Sequence, residues 1–475
     1  MNNIETIFGA PGCGKTTHLI NLLGELLKEY EPNEIAFVSF TKKGSYEGRD
    51  RAMEKFGYKE NDFPFFRTIH SLGFRHLGIS QYEMISRKNY REFSNALGMH
   101  FLGYYTEDLV NSDDKYLFQL GIEKNNQALA EKTKADLDIR KLNYVRANYE
   151  RYKKELGVWD YDDLIKCYLD LGATLPVKVA IIDEAQDLTS MQWEFCFKAF
   201  KECENVYIAG DDDQAIYEWS GADVFKFLDV AKSGTMKILD RSYRLKETIL
   251  EYSKKLLKQI SVRVDKNFSA DQGKGNIYFH NSLEEITINN EQSFYFLSRN
   301  NCFLKTYKDY IIKTGMQFSV KGKDFGKISI YKMIMKYEEL RQTDPEAIKL
   351  DVLLSEKLRP TATPLTPWYD ALELPEDELS FWRNFFANKN EIKNTGLNVS
   401  TIHGVKGGEA DNVVLSLNIT KNVNNAVQSK HSIDSELRCL YVGMTRTKKN
   451  LHIIHSTAKF GYEQIIPTME RAICF

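Results

Sequence analysis

One loop near the start of the chain carries the clearest chemistry. Gly9-Ala10-Pro11-Gly12-Cys13-Gly14-Lys15-Thr16-Thr17 holds the spacing of a phosphate-binding loop, Gly-x4-Gly-Lys-Thr. Its glycines let backbone N–H groups converge on phosphate oxygens where side chains would obstruct, and a helix start adds a positive dipole end. In this pattern Lys15 reaches the outer phosphates and Thr16 binds Mg2+. A second cluster, Ile181-Ile182-Asp183-Glu184-Ala185-Gln186-Asp187, is an apolar run ending in carboxylates. At such a strand end Asp183 would hold the Mg2+ shell and Glu184 would polarise the attacking water. Phosphoryl transfer needs both roles, because its transition state is stabilised mainly by position and charge. The two motifs in this order predict a nucleoside triphosphatase.

These residues need elements to hold them. Ile4 to Phe8 reads as a short strand feeding the loop, and Thr17 to Glu29 as a helix with Leu19, Leu22, Leu23, Leu26 and Leu27 on one face. Glu34 to Phe40 reads as a second strand. The unbroken apolar run Val177 to Ile182 reads as a strand buried on both faces, and Val206 to Ala209 as another, leading into Asp211, Asp212 and Asp213. Ser293 to Leu297, Val399 to Thr401 and Asn412 to Leu417 return to strand patterning. Strands alternating with helices imply right-handed crossovers and doubly wound parallel sheets.

The expected organisation is a first core from 1–80 and 158–232, with a helical insertion at 81–157. A second core takes 233–328 and 396–475, with a small insertion at 329–395 where five of the ten prolines gather. For 475 residues that division fits domains of about 100–200 residues.

Composition narrows the class. Hydrophobic residues are 43% and charged residues 27%, ordinary for a globular chain and unlike disordered, collagenous or coiled-coil sequences. There is no apolar run long enough to span a bilayer, and Met1 to Phe8 lacks the basic and apolar regions of a signal peptide. Lys+Arg total 64 against Asp+Glu 66, a net charge of −2. That argues against a histone-like positive coat but leaves room for a locally basic groove. The cysteines, Cys13, Cys167, Cys196, Cys203, Cys302, Cys439 and Cys474, are odd in number and form no CxxC pair. They fit neither zinc nor a disulfide framework, so a reducing, cytoplasmic setting is expected. Cys13, at a helix start beside Lys15, is expected to have a lowered thiol pKa.

Further motifs follow in order. Phe40-Thr41-Lys42-Lys43, Thr68-Ile69-His70-Ser71-Leu72 and Asp160-Tyr161-Asp162-Asp163-Leu164 lie in the first half. Gln214 stands near Tyr217 and Trp219. Then come Ser242-Tyr243-Arg244, the stretch Thr401-Ile402-His403 through Lys406 to Glu409, and Leu440 to Arg446. Carrying all of these in sequence, the chain resembles the UvrD/Rep/PcrA helicases of superfamily one over nearly its whole length.

The resemblance implies two RecA-like cores with ATP between them, opening and closing with each hydrolysis cycle. It implies that Arg244 and Arg446 project from the second core onto the γ-phosphate, where an arginine is worth about 10³–10⁵ in turnover. It assigns Tyr243 to stacking on adenine, Glu409 to the ribose, and Gln214 to sensing the γ-phosphate. It places Phe40, Thr41, His70, Tyr217, Trp219 and His403 along a single-strand path. Aromatic faces there would hold any base, at about 1–3 kcal/mol each. The implied partners are single-stranded and forked DNA, with replication or recombination proteins as candidates, and the implied state is a monomer.

The chain also departs from the family. The glutamine motif has no room before Gly9, and the arginine that often follows Gly-Lys-Thr is Thr17. Broader nucleotide choice is expected. Ser220 stands where the family has an arginine, so a basic residue near the active-site carboxylates is missing. The small insertion in the second core and the absence of an extension suggest a minimal motor with reduced autoinhibition, compatible with a phage or mobile-element origin. The leading reading is an ATP-dependent helicase moving 3′→5′ on single-stranded DNA, of a type used in replication, repair and recombination. The alternatives are a translocase that displaces proteins with little unwinding, and an NTP-dependent switch that grips nucleic acid without travel.

Overall fold

The computed structural model describes residues 3–467 except 41, 104–111, 136, 290, 364, 394 and 431. The chain forms two compact units. The first comprises Met1–Leu250, Lys254–Gly273 and Lys430–Val442, and the second Glu251–Ser253, Lys274–Ser429 and Gly443–Phe475.

The first unit is built on six strands: β1 (Asn3–Gly9), β2 (Ile35–Ser39), β3 (Phe66–Thr68), β4 (Val179–Asp183), β5 (Asn205–Gly210) and β6 (Thr235–Leu239). They lie in the order β3-β2-β4-β5-β1-β6, and every pair is parallel. Alternate side chains of these strands enter two different cores. Ile35, Phe37, Val179, Ile181 and Ile7 join Leu19 and Leu23 of the helix Lys15–Leu26 on one face. Ala36, Val38, Ala180, Ile182 and Phe8 join Trp193, Tyr168 and Phe227 on the other. This two-sided burial explains why the strands read as continuous apolar runs. Each such fully buried aliphatic or aromatic side chain contributes about 1.5–3 kcal/mol.

β6 lies beyond the boundary expected at residue 232, yet it pairs in register with β1 from Glu5↔Thr235 to Gly9↔Leu239. The following strands β7 (Arg241–Lys246) and β8 (Ser269–Asp271) form a small parallel ribbon in the same unit.

The helices between 81 and 157 have a core of their own, made by Phe93, Phe101, Tyr116, Leu120, Leu142, Val145 and Tyr149. Charge ties them to the helix that follows. Lys153 is 4% exposed and its Nζ lies 2.7 Å from both Asp160 and Asp163. Asp160 in turn caps the helix Tyr161–Leu171 by accepting from the Asp163 N–H at 2.8 Å.

The second unit holds β9 (Asn276–His280), β10 (Phe294–Ser298), β11 (Phe318–Val320), β12 (Lys323–Phe325), β13 (Leu397–Thr401), β14 (Ala410–Ser416) and β15 (Thr447–Ile454). Their order is β12-β11-β13-β10-β14-β15-β9, with β11-β12 the one antiparallel pair. That hairpin turns at Lys321 (φ 51°) and Gly322 (φ 74°), the left-handed pair that matches strand twist. The segment expected as a small insertion, 329–395, does not form a separate core. Ile334, Tyr337, Trp382 and Phe385 pack with Phe294, Phe296 and Val399 of the sheet. Both units therefore have the doubly wound, mainly parallel architecture of RecA-like cores. Among the described residues no helix is long and apolar enough to cross a membrane.

Candidate functional site

The phosphate loop joins β1 to the helix Lys15–Leu26, whose N-cap is Gly14 at φ 76°. No side chain caps this helix start, which leaves its first N–H groups for an anion. Gly12 (φ +74°) is required twice over, because a Cβ there would come 2.3 Å from the Cβ of Arg244. Lys15 Nζ donates to the Gly9 carbonyl at 2.7 Å, so the ammonium is folded over the loop. Burial opposes its charge, but Cys13, Glu184, Asp211 and Asp183 outweigh burial and hold its pKa above the ordinary lysine value. Thr16 follows on the first turn. Thr17 lines a separate groove of about 370 Å³ with Ile20, Asn21, Arg51, Glu54 and Lys55.

Cys13 behaves differently from the sequence expectation. Its thiol is buried, and that burial raises its pKa despite the opposing charge of Lys15. The helix start and the lysine are present as expected, but desolvation of the thiolate is the larger effect.

β4 ends in Asp183, which is 3% exposed. Glu184 then sits in the left-handed region at φ 52°, ψ 39°. A non-glycine residue held there costs about 1–3 kcal/mol and marks a constrained functional turn. The turn is fastened by three hydrogen bonds. The Glu184 N–H donates to Asp183 Oδ1 at 2.9 Å, Gln186 Nε2 donates to Glu184 Oε2 at 2.6 Å, and the Asp211 N–H donates to Gln186 Oε1 at 3.0 Å. Gln214 Nε2 donates to Asp211 Oδ2 at 2.6 Å. Glu184, Gln186, Asp211 and Gln214 thus form one hydrogen-bonded chain across the ends of β4 and β5.

Burial and the neighbouring Glu184 push the Asp183 carboxyl up to about 7, against the pull of Lys15. Two adjacent carboxylates face the charge of Lys15 and form a site that a divalent cation would relieve. The donor set is of hard oxygens, with Asp183 and the Thr16 hydroxyl, and suits Mg2+. Ser39 Oγ, buried and without a hydrogen-bond partner among the described residues, belongs to the residue paired in register with Asp183 and adds a further oxygen on that face.

Ser242, Tyr243 and Arg244 dock on the loop. Ser242 Oγ donates to the Pro11 carbonyl at 2.7 Å and the Tyr243 N–H donates to the Gly12 carbonyl at 2.8 Å. Arg244 therefore belongs to the first unit, a correction to the expectation that it projects from the second core. The cause is β6, which extends the first sheet and delivers β7 to the loop. Tyr243 is 63% exposed, and the Arg241 guanidinium lies 5.1 Å from its ring centroid.

The second unit carries Arg446, Glu409 and His403. Arg446 is 1% exposed and its Nη1 donates to the Gly408 carbonyl at 3.4 Å. Glu409 is exposed and pairs with Lys448 at 3.7 Å. His403 begins the short turn His403–Val405 after β13.

The aromatic residues of the first unit pair up. Phe40 and Tyr217 have ring centroids 5.6 Å apart, and His70 meets Tyr161 edge-on at 5.3 Å. Burial pulls His70 down to about 4, so it is a neutral imidazole at pH 7. Trp219 stacks with Phe118 at 6.0 Å beside a cavity of about 270 Å³ lined by Tyr90, Phe118, Asn125, Asp162 and Ser220. Thr41 lies outside the described residues.

Sequence reasoning missed five contributors. Phe118 comes from the helical insertion, where no motif marks it. Gln186 stood inside a motif without a role. Lys266 and Arg263 reach the carboxylates of Asp211, Asp212 and Asp213 from a segment with no motif. Arg438, 2% exposed, pairs with Glu218, the residue before Trp219, at 2.6 Å.

Fold and site together define a P-loop nucleotide-binding protein with two parallel-sheet units. The family model for the UvrD/REP helicase N-terminal domain matches residues 2–234, and that for the UvrD-like helicase C-terminal domain matches residues 383–458. The chain belongs to the UvrD-like helicase family. It is 26% identical over 320 residues to the ATP-dependent DNA helicase Rep of Salmonella typhimurium, covering 60% of this chain and 45% of that one. It is 24% identical over 355 residues to the ATP-dependent DNA helicase PcrA of Leuconostoc citreum, covering 66% and 47%. With PcrA of Staphylococcus aureus the match is 22% over 483 residues, covering 92% of this chain and 62% of the relative. The chain thus spans about half the length of the first of these relatives.

Proposed function

We propose that this chain is an ATP-driven motor that moves 3′→5′ along single-stranded DNA and unwinds duplex or forked DNA, acting in the cytoplasm. The observation that carries the reading is a single stretch of chain. Within β5 and the turns after it, Gln214 joins the hydrogen-bonded chain to Glu184, and Tyr217 and Trp219 follow within five residues. A change felt at the carboxylates is thereby transmitted to aromatic groups suited to stacking on bases. A switch that only grips needs no such coupling. Polarity and unwinding rest on the family resemblance.

In this reading the loop amides and Lys15 bind the phosphates, with Ala10, Pro11 and Cys13 shaping the loop. Thr16 and Asp183 hold Mg2+, which supplies charge neutralisation for the phosphoryl group. Glu184 orients and polarises the attacking water, and Gln214 senses the phosphate. Arg244, fixed on the loop by its neighbours Ser242 and Tyr243, stabilises charge on the transferred group. Tyr243 offers its exposed ring to the base. Arg446 and Glu409 keep the roles the family resemblance gives them. Phe40, His70, Tyr217, Trp219 and His403 contact the strand.

The test is steady-state ATP hydrolysis with and without single-stranded DNA, on wild type and Trp219→Ala. Loss of one stacking contact worth about 1–3 kcal/mol weakens DNA activation by roughly 5- to 150-fold in the DNA concentration required. Hydrolysis indifferent to DNA in the wild type would sink the motor reading.

A further inference from the structure

The strongest unexplained feature is a buried charge cluster after β5. Asp211, Asp212 and Asp213 are each no more than 1% exposed, and their carboxylate oxygens lie within 4.8 Å of one another. Such a trio could hold a cation, but the chain provides its own. Lys266 Nζ stands among all three, 3.1 Å from Asp211 and 2.9 Å from Asp213, and hydrogen-bonded to Asp212. Arg263 grips Asp213 in a fork, Nε to Oδ1 and Nη2 to Oδ2, both at 2.8 Å. The Val264 N–H adds a bond to Asp212 Oδ2 at 2.8 Å.

The cluster leads directly to the hydrolytic residues. Asp211 takes Lys266 on Oδ1 and Gln214 Nε2 on Oδ2, while its N–H holds Gln186, whose amide holds Glu184. We propose that Lys266 is a positioning residue for hydrolysis: its ammonium fixes Asp211, and through Gln186 and Gln214 it fixes Glu184 and the phosphate sensor. Three buried carboxylates facing Arg263 alone would repel one another, and Asp211, the one tied to both glutamines, would turn away. The Lys266 ammonium is held charged above its ordinary pKa, with burial opposing and the three carboxylates prevailing. The inference rests on the reading of Glu184 as the residue that orients water.

The test compares Lys266→Met, Lys266→Arg and Glu184→Gln with wild type. The measurements are kcat and KM for ATP, the Kd of a fluorescent ATP analogue, and thermal melting. Lys266→Met is expected to lower kcat about 10- to 100-fold, the cost of misplacing a group by about 1 Å, with the analogue's Kd within threefold. Lys266→Arg is expected to restore most of the rate. Should Lys266→Met fail to fold, Lys266→Gln with Asp212→Asn removes one charge of each sign, and the same loss of kcat is expected. A folded variant lacking the ammonium with wild-type kcat overturns the proposal. So does a parallel loss of kcat and nucleotide affinity, which marks a merely structural role. Full activity in Glu184→Gln would instead remove the functional reading beneath it.

Discussion

Gln186→Met is the sharpest probe of the hydrolytic turn, because Gln186 is fully buried and touches no proposed ligand. Its amide donates to Glu184 Oε2 at 2.6 Å and accepts from the Asp211 N–H at 3.0 Å. Methionine keeps the volume and removes these two bonds together with the longer one, 3.3 Å, from Gln186 Nε2 to Asp187 Oδ2. The Asp211 N–H is then buried and unsatisfied, at about 1–3 kcal/mol, and Glu184 loses a charge-assisted bond worth about 1.5–3 kcal/mol. Part of the second loss is recovered, since a freed Glu184 can turn to water. A net destabilisation of about 2–4 kcal/mol follows, or roughly 4–16 °C in the melting of a unit of this size. The kinetic effect is separate. Glu184 already sits at φ 52°, and without Gln186 its carboxylate loses a fixed direction. The expected kcat is about 10–100-fold below wild type, with KM for ATP changed less than threefold. Melting by differential scanning fluorimetry and a coupled ATPase assay measure both. A variant that melts lower yet keeps full kcat would refute the idea that this chain of bonds aims the glutamate.

Two further outcomes are expected. Lys153→Met removes the buried partner of Asp160 and Asp163 but leaves Lys124, 3.1 Å from Asp163, and should cost about 1–3 kcal/mol, releasing the helices between 81 and 157 first; limited proteolysis that cuts elsewhere before this segment would contradict it. In the second unit, burial first, and then the neighbouring His280, pull His452 down to about 4. The unfolded chain then binds more protons than the folded one between about pH 6.5 and 4, so stability present above pH 6.5 is lost as pH falls through that window, by about 1–3 kcal/mol. His452→Asn should flatten that loss in pH-dependent denaturant melts, and an unchanged slope would count against it.

Much of the fold was legible because its signals are local. β4 and β5 announced themselves as continuous apolar runs, since helices cover both faces of the sheet. The glycines of the phosphate loop declared their purpose by spacing alone. The edges were harder. β6 is exposed along most of its length, so it lacks the apolar run that would have assigned it to the first sheet. Its pairing with β1 depends on backbone hydrogen bonds rather than on side-chain pattern. The segment 329–395 looked separate because its prolines interrupt regular structure, but its aromatic residues pack into the sheet's own core.

The candidate site divides in the same way. Loop, lysine, carboxylates and aromatic turn were readable in sequence, because residues a few positions apart on one strand end must share a face and a distance. Cys13 showed the limit of that reasoning, since local charge favours its thiolate and burial, a tertiary quantity, opposes it more strongly. Phe118 and Lys266 reach the site from remote parts of the chain. Lys266 meets Asp212 across 54 residues, and no spacing rule connects them. The sequence by itself determined which groups could do phosphate chemistry and which backbone turn would present them. Tertiary structure alone decided which distant charges neutralise those groups and hold them in place, because the free energy of a buried ion pair depends on where the folded chain excludes water.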